Sequence, residues 1–225
     1  LKLGFHCRST CQYCYQQKAP YPYQEIFTNF DKLKNEIIYE PFVHRATLVI
    51  WSMISFLTKT TFNRIPNELD KSINKFRASA IKAKILDDKA MIQFLPENIT
   101  QVLIDCEIDF KEDDLKEGIA KIPTYYEMNK KTPLWLWVSE YSDILAIEPI
   151  AKQMEFIFTD LLPNNPEVNF MVATKSVDEC FLEYDGQDRI MLNMNLSPEE
   201  VISKYEPGTS PLDKRLTLIK KLQDK

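Results

Sequence analysis

The chain has 225 residues, of which 44% are hydrophobic, and its formal net charge is −5 at pH 7. This length is typical of one sizeable domain or two small ones. The negative charge disfavours a protein that holds duplex nucleic acid mainly by neutralising phosphates. The five cysteines, three of them in one motif, favour a reduced, cytoplasmic setting over a disulfide framework. The longest apolar run, Ala46 to Leu57, is too short to span a bilayer, so we expect no membrane partner.

The first informative segment carries Cys7, Cys11 and Cys14 at the spacing C-x3-C-x2-C. Three thiolates on a tight loop can bind three irons of a cubane 4Fe–4S cluster and leave the fourth iron open. A structural zinc site uses four protein ligands, and the remaining cysteines, Cys106 and Cys180, are single and distant in the sequence. The spacing therefore predicts an iron–sulfur cluster, with a zinc loop or a reactive cysteine cluster as the alternatives.

This cysteine motif resembles the signature of the radical S-adenosylmethionine (SAM) enzymes. An aromatic residue usually precedes the third cysteine in that family, and Tyr13 stands in this place. The resemblance implies a 4Fe–4S cluster and SAM as cofactors, and it makes the apolar residues 1–5 the end of a first barrel strand. The four glycines are scattered, which excludes a Gly-rich phosphate loop and also the Gly-Gly-Glu stretch of many radical SAM enzymes.

Residues 45–130 carry no motif, and we expect an inserted α+β segment of unknown role. Before it, Asn29 or Asp31 can cap a helix that ends near Tyr39. Arg45 to Phe56 is β-branched and aromatic, so both a strand and a buried helix fit it. The further predicted elements are a helix from Pro66, strands at Met91–Leu95 and Thr100–Phe110, and a short helix from Glu112 to Ile122 that is stopped by Pro123.

Strand and helix alternate from residue 134 onward, which is typical of parallel βαβ units. The predicted strands are Leu134–Val138, Asn169–Thr174 and Arg189–Leu196, and the predicted helices include one stopped by Pro163, one from Pro198 with Ser197 as its cap, and a last one at Leu212–Lys225. The prediction is an α/β fold, a partial (β/α) radical SAM barrel formed by residues 1–44 and 131–225. Because the chain begins inside a strand and ends on a charged helix, we expect a fragment of a longer protein.

Several short motifs beyond the cysteines resemble the spore photoproduct lyase branch of the radical SAM enzymes. They follow the family's order at similar spacing, over about residues 1–40 and 134–225. The motifs are Cys14-Tyr15-Gln16-Gln17, Phe27-Thr28-Asn29-Phe30-Asp31, Ser142-Asp143-Ile144-Leu145-Ala146-Ile147, Thr174-Lys175, Asn195-Leu196-Ser197-Pro198, Glu206-Pro207-Gly208-Thr209-Ser210 and Arg215.

The resemblance implies a DNA-repair lyase that reverses a thymine dimer in ultraviolet-damaged spore DNA. In that chemistry the cluster gives one electron to SAM, and the resulting 5′-deoxyadenosyl radical abstracts a hydrogen atom from the dimer. A reductant such as flavodoxin or ferredoxin is then a partner beside the DNA. The residues that the resemblance assigns are Cys7, Cys11 and Cys14 for the cluster, Ser142, Lys175, Asn195 and Ser197 for SAM, and Tyr13 and Tyr15 for radical transfer.

The chain departs from this family in three places. Glu140 stands where the family has its hydrogen-donor cysteine, the family's Ser-Leu-Asn-Pro order is swapped at Asn195 to Pro198, and residues 45–130 replace a short link. A carboxylate does not donate a hydrogen atom as a thiol does. Two alternatives therefore stand beside the repair lyase: a radical SAM enzyme of the same branch with another substrate, and a non-catalytic iron–sulfur or metal-binding remnant.

The polar residues near the predicted strand ends also have ordinary structural interpretations. Lys175 is either a ligand contact or a surface lysine. Asp143 is either one half of an acid/base pair with Glu140 or the cap of a helix that begins at Ile144. Both interpretations stay open on the sequence alone.

Overall fold

The computed structural model describes residues 4–5, 25–26, 29–58, 67–138, 143, 145–146, 152–185 and 187–225. The chain is mixed α and β and mostly helical. It divides into two compact units, one formed by Leu1–Lys34 with Trp135–Lys225 and the other by Asn35–Leu134. The predicted domain boundaries after residues 44 and 130 stay a prediction. None of the described helices is long and apolar enough to cross a membrane.

The unit of residues 35–134 is built from helices. A first helix, α1 (Phe30–Ile37), leads into α2 (Glu40–Thr58), α3 (Asn67–Lys82), α4 (Asp88–Asp105) and α5 (Glu112–Asn129). Asn29 caps α1 by accepting the Lys32 amide at 3.0 Å. Asp87 caps α4 by accepting the Ala90 amide at 2.8 Å. Since the regular structure described between residues 35 and 133 is helical, the predicted α+β character of the inserted segment is wrong.

The prediction of strands at Met91–Leu95 and Thr100–Phe110 is wrong, because the helix α4 contains the whole of the first stretch and half of the second. Met91, Leu95, Ile99 and Leu103 recur every fourth residue and are all fully buried. This spacing lines one helical face, and the face packs into the apolar core shared by α2 to α5. The helical period outweighs the strand-like composition of each short stretch.

The helix predicted to stop at Pro123 instead continues to Asn129. A proline inside a helix removes one hydrogen bond and costs about 3 kcal/mol. Ile122 and Tyr126, which flank it, are 1% and 0% exposed, so their burial offsets this cost. Gly118 helps α5 to approach α2, since a Cβ there would lie 2.4 Å from the Met53 Cε atom.

The described residues of the other unit include a two-stranded sheet and a three-stranded sheet. β1 (Gly4–Phe5) pairs antiparallel with β2 (Glu25–Ile26). β3 (Leu134–Val138), β4 (Val168–Thr174) and β5 (Ile190–Met194) form a three-stranded parallel sheet in the order β3-β4-β5. The register places Phe170 opposite Ile190 and Thr174 opposite Met194. The three predicted parallel strands are therefore confirmed.

Short helices connect these parallel strands. α6 (Gln153–Phe156) continues through a π-helical segment (Ile157–Leu161) into α7 (Leu162–Asn164), so the helix ends one residue after Pro163, close to its predicted stop. α8 (Cys180–Glu183) precedes β5, and α9 (Glu199–Tyr205) and α10 (Leu212–Gln223) follow it.

One face of β4 is closed and the other is partly open. Val168, Phe170 and Val172 are 0% exposed, whereas the intervening Met171 and Ala173 are half-buried. On β3, Trp137 is 48% exposed. This alternation is typical of a strand covered fully on one side only.

Candidate functional site at the carboxyl ends of β4 and β5

The predicted site residues fall into two groups. Lys175, Asn195 and Ser197 are described, and they lie directly after β4 and β5. The others lie outside the described residues, so their roles stay predictions: Cys7, Cys11, Tyr13, Cys14, Tyr15, Glu140 and Ser142. In the described part of the chain, no group of three or more His, Cys, Asp or Glu side chains has a metal-binding arrangement.

Asp143 fixes the backbone at the end of β4. Asp143 is 7% exposed. One carboxylate oxygen accepts the Thr174 hydroxyl at 2.6 Å, and the other accepts the Lys175 amide at 2.9 Å and the Ser176 hydroxyl at 3.0 Å. A charged acceptor of several hydrogen bonds holds its donors firmly. Asp143 therefore sets the direction in which the chain leaves β4 at Lys175.

Glu206 is a second buried carboxylate, reached by two of the predicted site residues. Its side chain is 0% exposed. Its Oε1 atom lies 3.0 Å from the Lys175 Nζ atom and 3.1 Å from the Ser197 Oγ atom. Ser197 Oγ is also 2.6 Å from the Asn195 Oδ1 atom. Lys175, Asn195 and Ser197, which come from two separate motifs, are thus joined in one hydrogen-bonded group.

The same contacts correct the prediction that Ser197 caps a helix. α9 begins at Glu199, and its N-cap position is Pro198, which makes no side-chain capping bond. Ser197 is occupied elsewhere, because its amide donates to the Asn195 side chain at 3.0 Å while its hydroxyl lies near Glu206. The local turn formed by Asn195 competes successfully with the capping geometry.

Arg215 supports this group from α10 and is 0% exposed. Its guanidinium donates to the Ser210 carbonyl, to the Asn195 carbonyl and to the Thr209 hydroxyl, each at 2.7 Å. It also donates to the Glu206 Oε2 atom at 3.2 Å. One buried arginine therefore ties the end of β5, the 206–210 turn and the buried carboxylate together.

The site balances its charges. Asp143 and Glu206 are negative, and Lys175 and Arg215 are positive. Buried charges are tolerated when they are paired or well hydrogen-bonded. Glu206 is paired with both Lys175 and Arg215, whereas Asp143 is held by neutral donors, two hydroxyls and one backbone amide. The Lys175 side chain is 24% exposed, against 0% for Glu206 and Arg215. Of the two cations in this group, Lys175 is therefore the one that reaches solvent. We call Asp143, Lys175, Glu206 and Arg215 the strand-end cluster.

Glu206 and Arg215 belong to motifs of the family resemblance but carry no predicted role of their own. A usable signal exists in α10, where Leu212, Arg215 and Leu218 recur at three-residue spacing. This spacing places an arginine on the apolar face of a helix. A charge in that position requires a buried partner, but the sequence does not say that Glu206 is the one.

A second polar group lies in the helical unit. Asp88 accepts from Arg45 at 2.9 Å, from the Tyr126 hydroxyl at 3.1 Å and from Lys130 at 2.9 Å. Burial raises the pKa of Asp88, but the bonds and charges of Lys130, Tyr126 and Arg45 outweigh it, so that the net pKa is lowered. Burial, with the Asp88 charge, raises the pKa of Tyr126. We call these four residues the helical cluster.

Comparison of the chain with protein-family models, with curated proteins and with solved structures finds no match.

Proposed function

We propose that this protein is a radical SAM enzyme resembling spore photoproduct lyase. The observation that carries the proposal is the convergence of Lys175, Asn195 and Ser197. Separate short motifs assigned these residues to one cofactor, and they meet around Glu206 at the carboxyl ends of adjacent parallel strands. That end of the strands is where barrel enzymes have their chemistry.

The donor groups suit the cofactors. Three thiolates at C-x3-C-x2-C spacing match a 4Fe–4S cluster with one open iron. The ammonium of Lys175 suits the carboxylate in the methionine part of SAM. The amide of Asn195 and the hydroxyl of Ser197 offer both donors and acceptors to the same part of the molecule. When bound, the cluster supplies the electron that makes SAM a radical source.

Each remaining residue has a proposed task. Cys7, Cys11 and Cys14 bind the cluster, and Ser142, the neighbour of Asp143 in the chain, contacts SAM. Tyr13 and Tyr15 pass a hydrogen atom, because a phenol can form a stable radical. The proposed substrate is a thymine dimer in DNA, and the proposed reductant is a flavodoxin or a ferredoxin in the cytoplasm.

A second candidate is a radical SAM enzyme of the same branch that acts on another substrate. Glu140 favours it, because this carboxylate stands where the family has its hydrogen-donor cysteine. Without that thiol the final hydrogen transfer to a thymine radical needs another donor.

The first test is anaerobic reconstitution with iron and sulfide. We expect about four irons per chain and 5′-deoxyadenosine after dithionite reduction in the presence of SAM. Cys11→Ala should lose both. Cys106→Ala is the matched control and should lose neither, because burial raises the pKa of the Cys106 thiol and keeps it a poor metal ligand.

The outcomes separate the candidates. Repair of a dimer-containing oligonucleotide supports the lyase, whereas SAM cleavage without repair supports the second candidate. Stoichiometric zinc without charge-transfer absorbance contradicts both and leaves a metal-binding remnant.

A further inference from the structure

Two residues assigned to SAM lie within hydrogen-bond distance of one carboxylate oxygen, on a residue for which the sequence predicts no role. Lys175 Nζ and Ser197 Oγ lie 3.0 Å and 3.1 Å from Glu206 Oε1. The Glu206 side chain is 0% exposed. A ligand in contact with Lys175 therefore does not touch Glu206, and any influence of this carboxylate passes through its neighbours.

Three contacts to described residues hold Lys175. Its amide donates to Asp143 at 2.9 Å, its carbonyl accepts the Ser210 amide at 3.1 Å, and its ammonium donates to Glu206. The first two contacts fix the backbone. The third restrains a side chain that otherwise has four rotatable bonds and a large conformational entropy.

Glu206 is itself held in place. Arg215 donates to its second carboxylate oxygen at 3.2 Å and is anchored by three further hydrogen bonds to residues 195, 209 and 210. The Glu206 carboxylate thus presents Oε1 to Lys175 in one orientation. Direct contacts therefore link Arg215 to Glu206 and Glu206 to Lys175.

We infer that Glu206, held by Arg215, is a positioning residue that orients the Lys175 ammonium toward a ligand carboxylate. This inference rests on the proposed function, in which that carboxylate belongs to SAM. A cation held in one orientation before the ligand arrives loses less freedom on binding, which is the basis of preorganisation.

Position and charge must be separated in the test, because loss of the Glu206 charge would also make the site more positive and attract an anion. Glu206→Asp keeps the charge and withdraws the carboxylate by one carbon–carbon bond, about 1.5 Å. Thr209→Val removes a hydroxyl that accepts from Arg215 at 2.7 Å and changes no charge. The matched control is Glu40→Asp, since Glu40 is also a buried carboxylate paired with an arginine, Arg77, but lies in the helical unit.

The first readout is the affinity of the reconstituted protein for SAM relative to S-adenosylmethioninamine, which lacks only the carboxylate. The wild type should prefer SAM about tenfold or more, as expected for a hydrogen bond between charged groups. Lys175→Met should lower it about tenfold and leave only the preference that other contacts to the carboxylate supply. Glu206→Asp should lower it about twofold to tenfold, the range expected for the ordering of one long side chain. Thr209→Val should lower it less, and Glu40→Asp should leave it unchanged.

The second readout needs no ligand. The Lys175 ammonium, assigned with Lys175→Met, should give a slowly exchanging nitrogen resonance in the wild type that Glu206→Asp weakens. A merely structural role would lower stability and reduce affinity for both ligands equally, without a change in their ratio.

Each failure has its own signature. A wild type that does not prefer SAM over S-adenosylmethioninamine contradicts the proposed function, and it contradicts the positioning role as well. A preference that Lys175→Met lowers but that Glu206→Asp and Thr209→Val both retain overturns the positioning role alone. A preference that Lys175→Met leaves unchanged overturns the contact between Lys175 and the ligand carboxylate, and the positioning role with it. An ordinary, fast-exchanging Lys175 ammonium in the wild type overturns it as well.

Discussion

The strand-end cluster and the helical cluster are similar in composition but differ in construction. In the helical cluster, Arg45, Asp88 and Tyr126 lie on three different helices and bond side chain to side chain. In the strand-end cluster, Arg215 donates to the carbonyls of Ser210 and Asn195 as well as to Glu206. The first ties rigid elements together, whereas the second also fixes irregular backbone at the end of a sheet.

This difference bears on function. Helices packed around an apolar core keep their positions even when one polar tie is lost. Loops that follow strands are not held by packing of this kind, so their geometry depends on specific hydrogen bonds. A protein that needs precisely placed ligand contacts at strand ends requires a cluster of the second kind.

The largest expected effect comes from removal of the two buried arginines. Arg215→Met leaves the fully buried Glu206 with a reduced set of donors and leaves two carbonyls without this partner, so we expect a loss of about 3–5 kcal/mol in the unfolding free energy of its unit. Arg45→Met should cost about 1–3 kcal/mol, because Asp88 keeps Lys130 and Tyr126 as donors.

Hydrogen exchange measured on peptides from β4 and β5 and on peptides from α2 reports the two units separately. An Arg45→Met loss equal to or larger than that of Arg215→Met would contradict the distinction between the clusters. Lys116→Met is the control and should cost less than either, because Lys116 and its partner Glu112 are both exposed.

A smaller effect is expected at two positions with positive φ. Gly208, in the 206–210 turn, has a φ of 88°, and Lys84, which follows α3, has a φ of 54°. A side chain in this region costs about 1–2 kcal/mol. Gly208→Ala should therefore destabilise the unit that contains the sheet by about 1 kcal/mol, and Lys84→Gly should stabilise the helical unit by about 0.5 kcal/mol. Urea unfolding midpoints measure both, and a shift of the same sign in the two variants would refute the prediction.

The smallest expected effect is a dependence on pH in the helical unit. The pKa of Asp88 is lowered below its ordinary value of 3.8, since its bonds to Lys130 and Tyr126 and the Arg45 charge outweigh burial. A group with a lowered folded pKa stabilises the fold above its unfolded pKa, and this stability is lost as the pH falls through the folded value. The helical unit should thus lose stability as the pH drops below about 4.

Unfolding midpoints recorded between pH 6 and pH 2 check this dependence. Asp88→Asn should flatten the profile in that range, and Tyr126→Phe, which removes one donor to Asp88, should flatten it partly. A profile identical in the wild type and Asp88→Asn would mean that other carboxylates control acid unfolding.

Local sequence patterns predicted correctly those elements whose ends are marked by capping or turn residues and whose apolar residues recur with a regular period. The three parallel strands are present close to their predicted bounds, and Asn29 caps α1 as expected. The strand-like stretches within α4, by contrast, were predicted wrongly, because short windows do not reveal the four-residue recurrence from Met91 to Leu103. Pro123 misled the prediction since a proline's local cost is visible in sequence while the burial that offsets it is not.

The candidate site divides in the same way. The spacing of Cys7, Cys11 and Cys14 and the polar residues after predicted strands are properties of the sequence, and they were sufficient to choose Lys175, Asn195 and Ser197 as candidates. The ability of these three side chains to form charged or neutral hydrogen bonds with a ligand follows from residue type alone. The proposal of a cluster and of SAM rests on these residues and on the family resemblance.

Only the tertiary structure decided which of these groups meet. Lys175 and Glu206 are 31 positions apart, and Asn195 and Arg215 are 20 apart. Hydrogen bonds of this kind form after parallel strands and their crossover helices have packed, so no local pattern contains them. The sequence by itself determined the candidate site residues and the parallel strands. Folding placed one buried carboxylate, Glu206, within hydrogen-bond distance of two of those residues, and Arg215 holds it there.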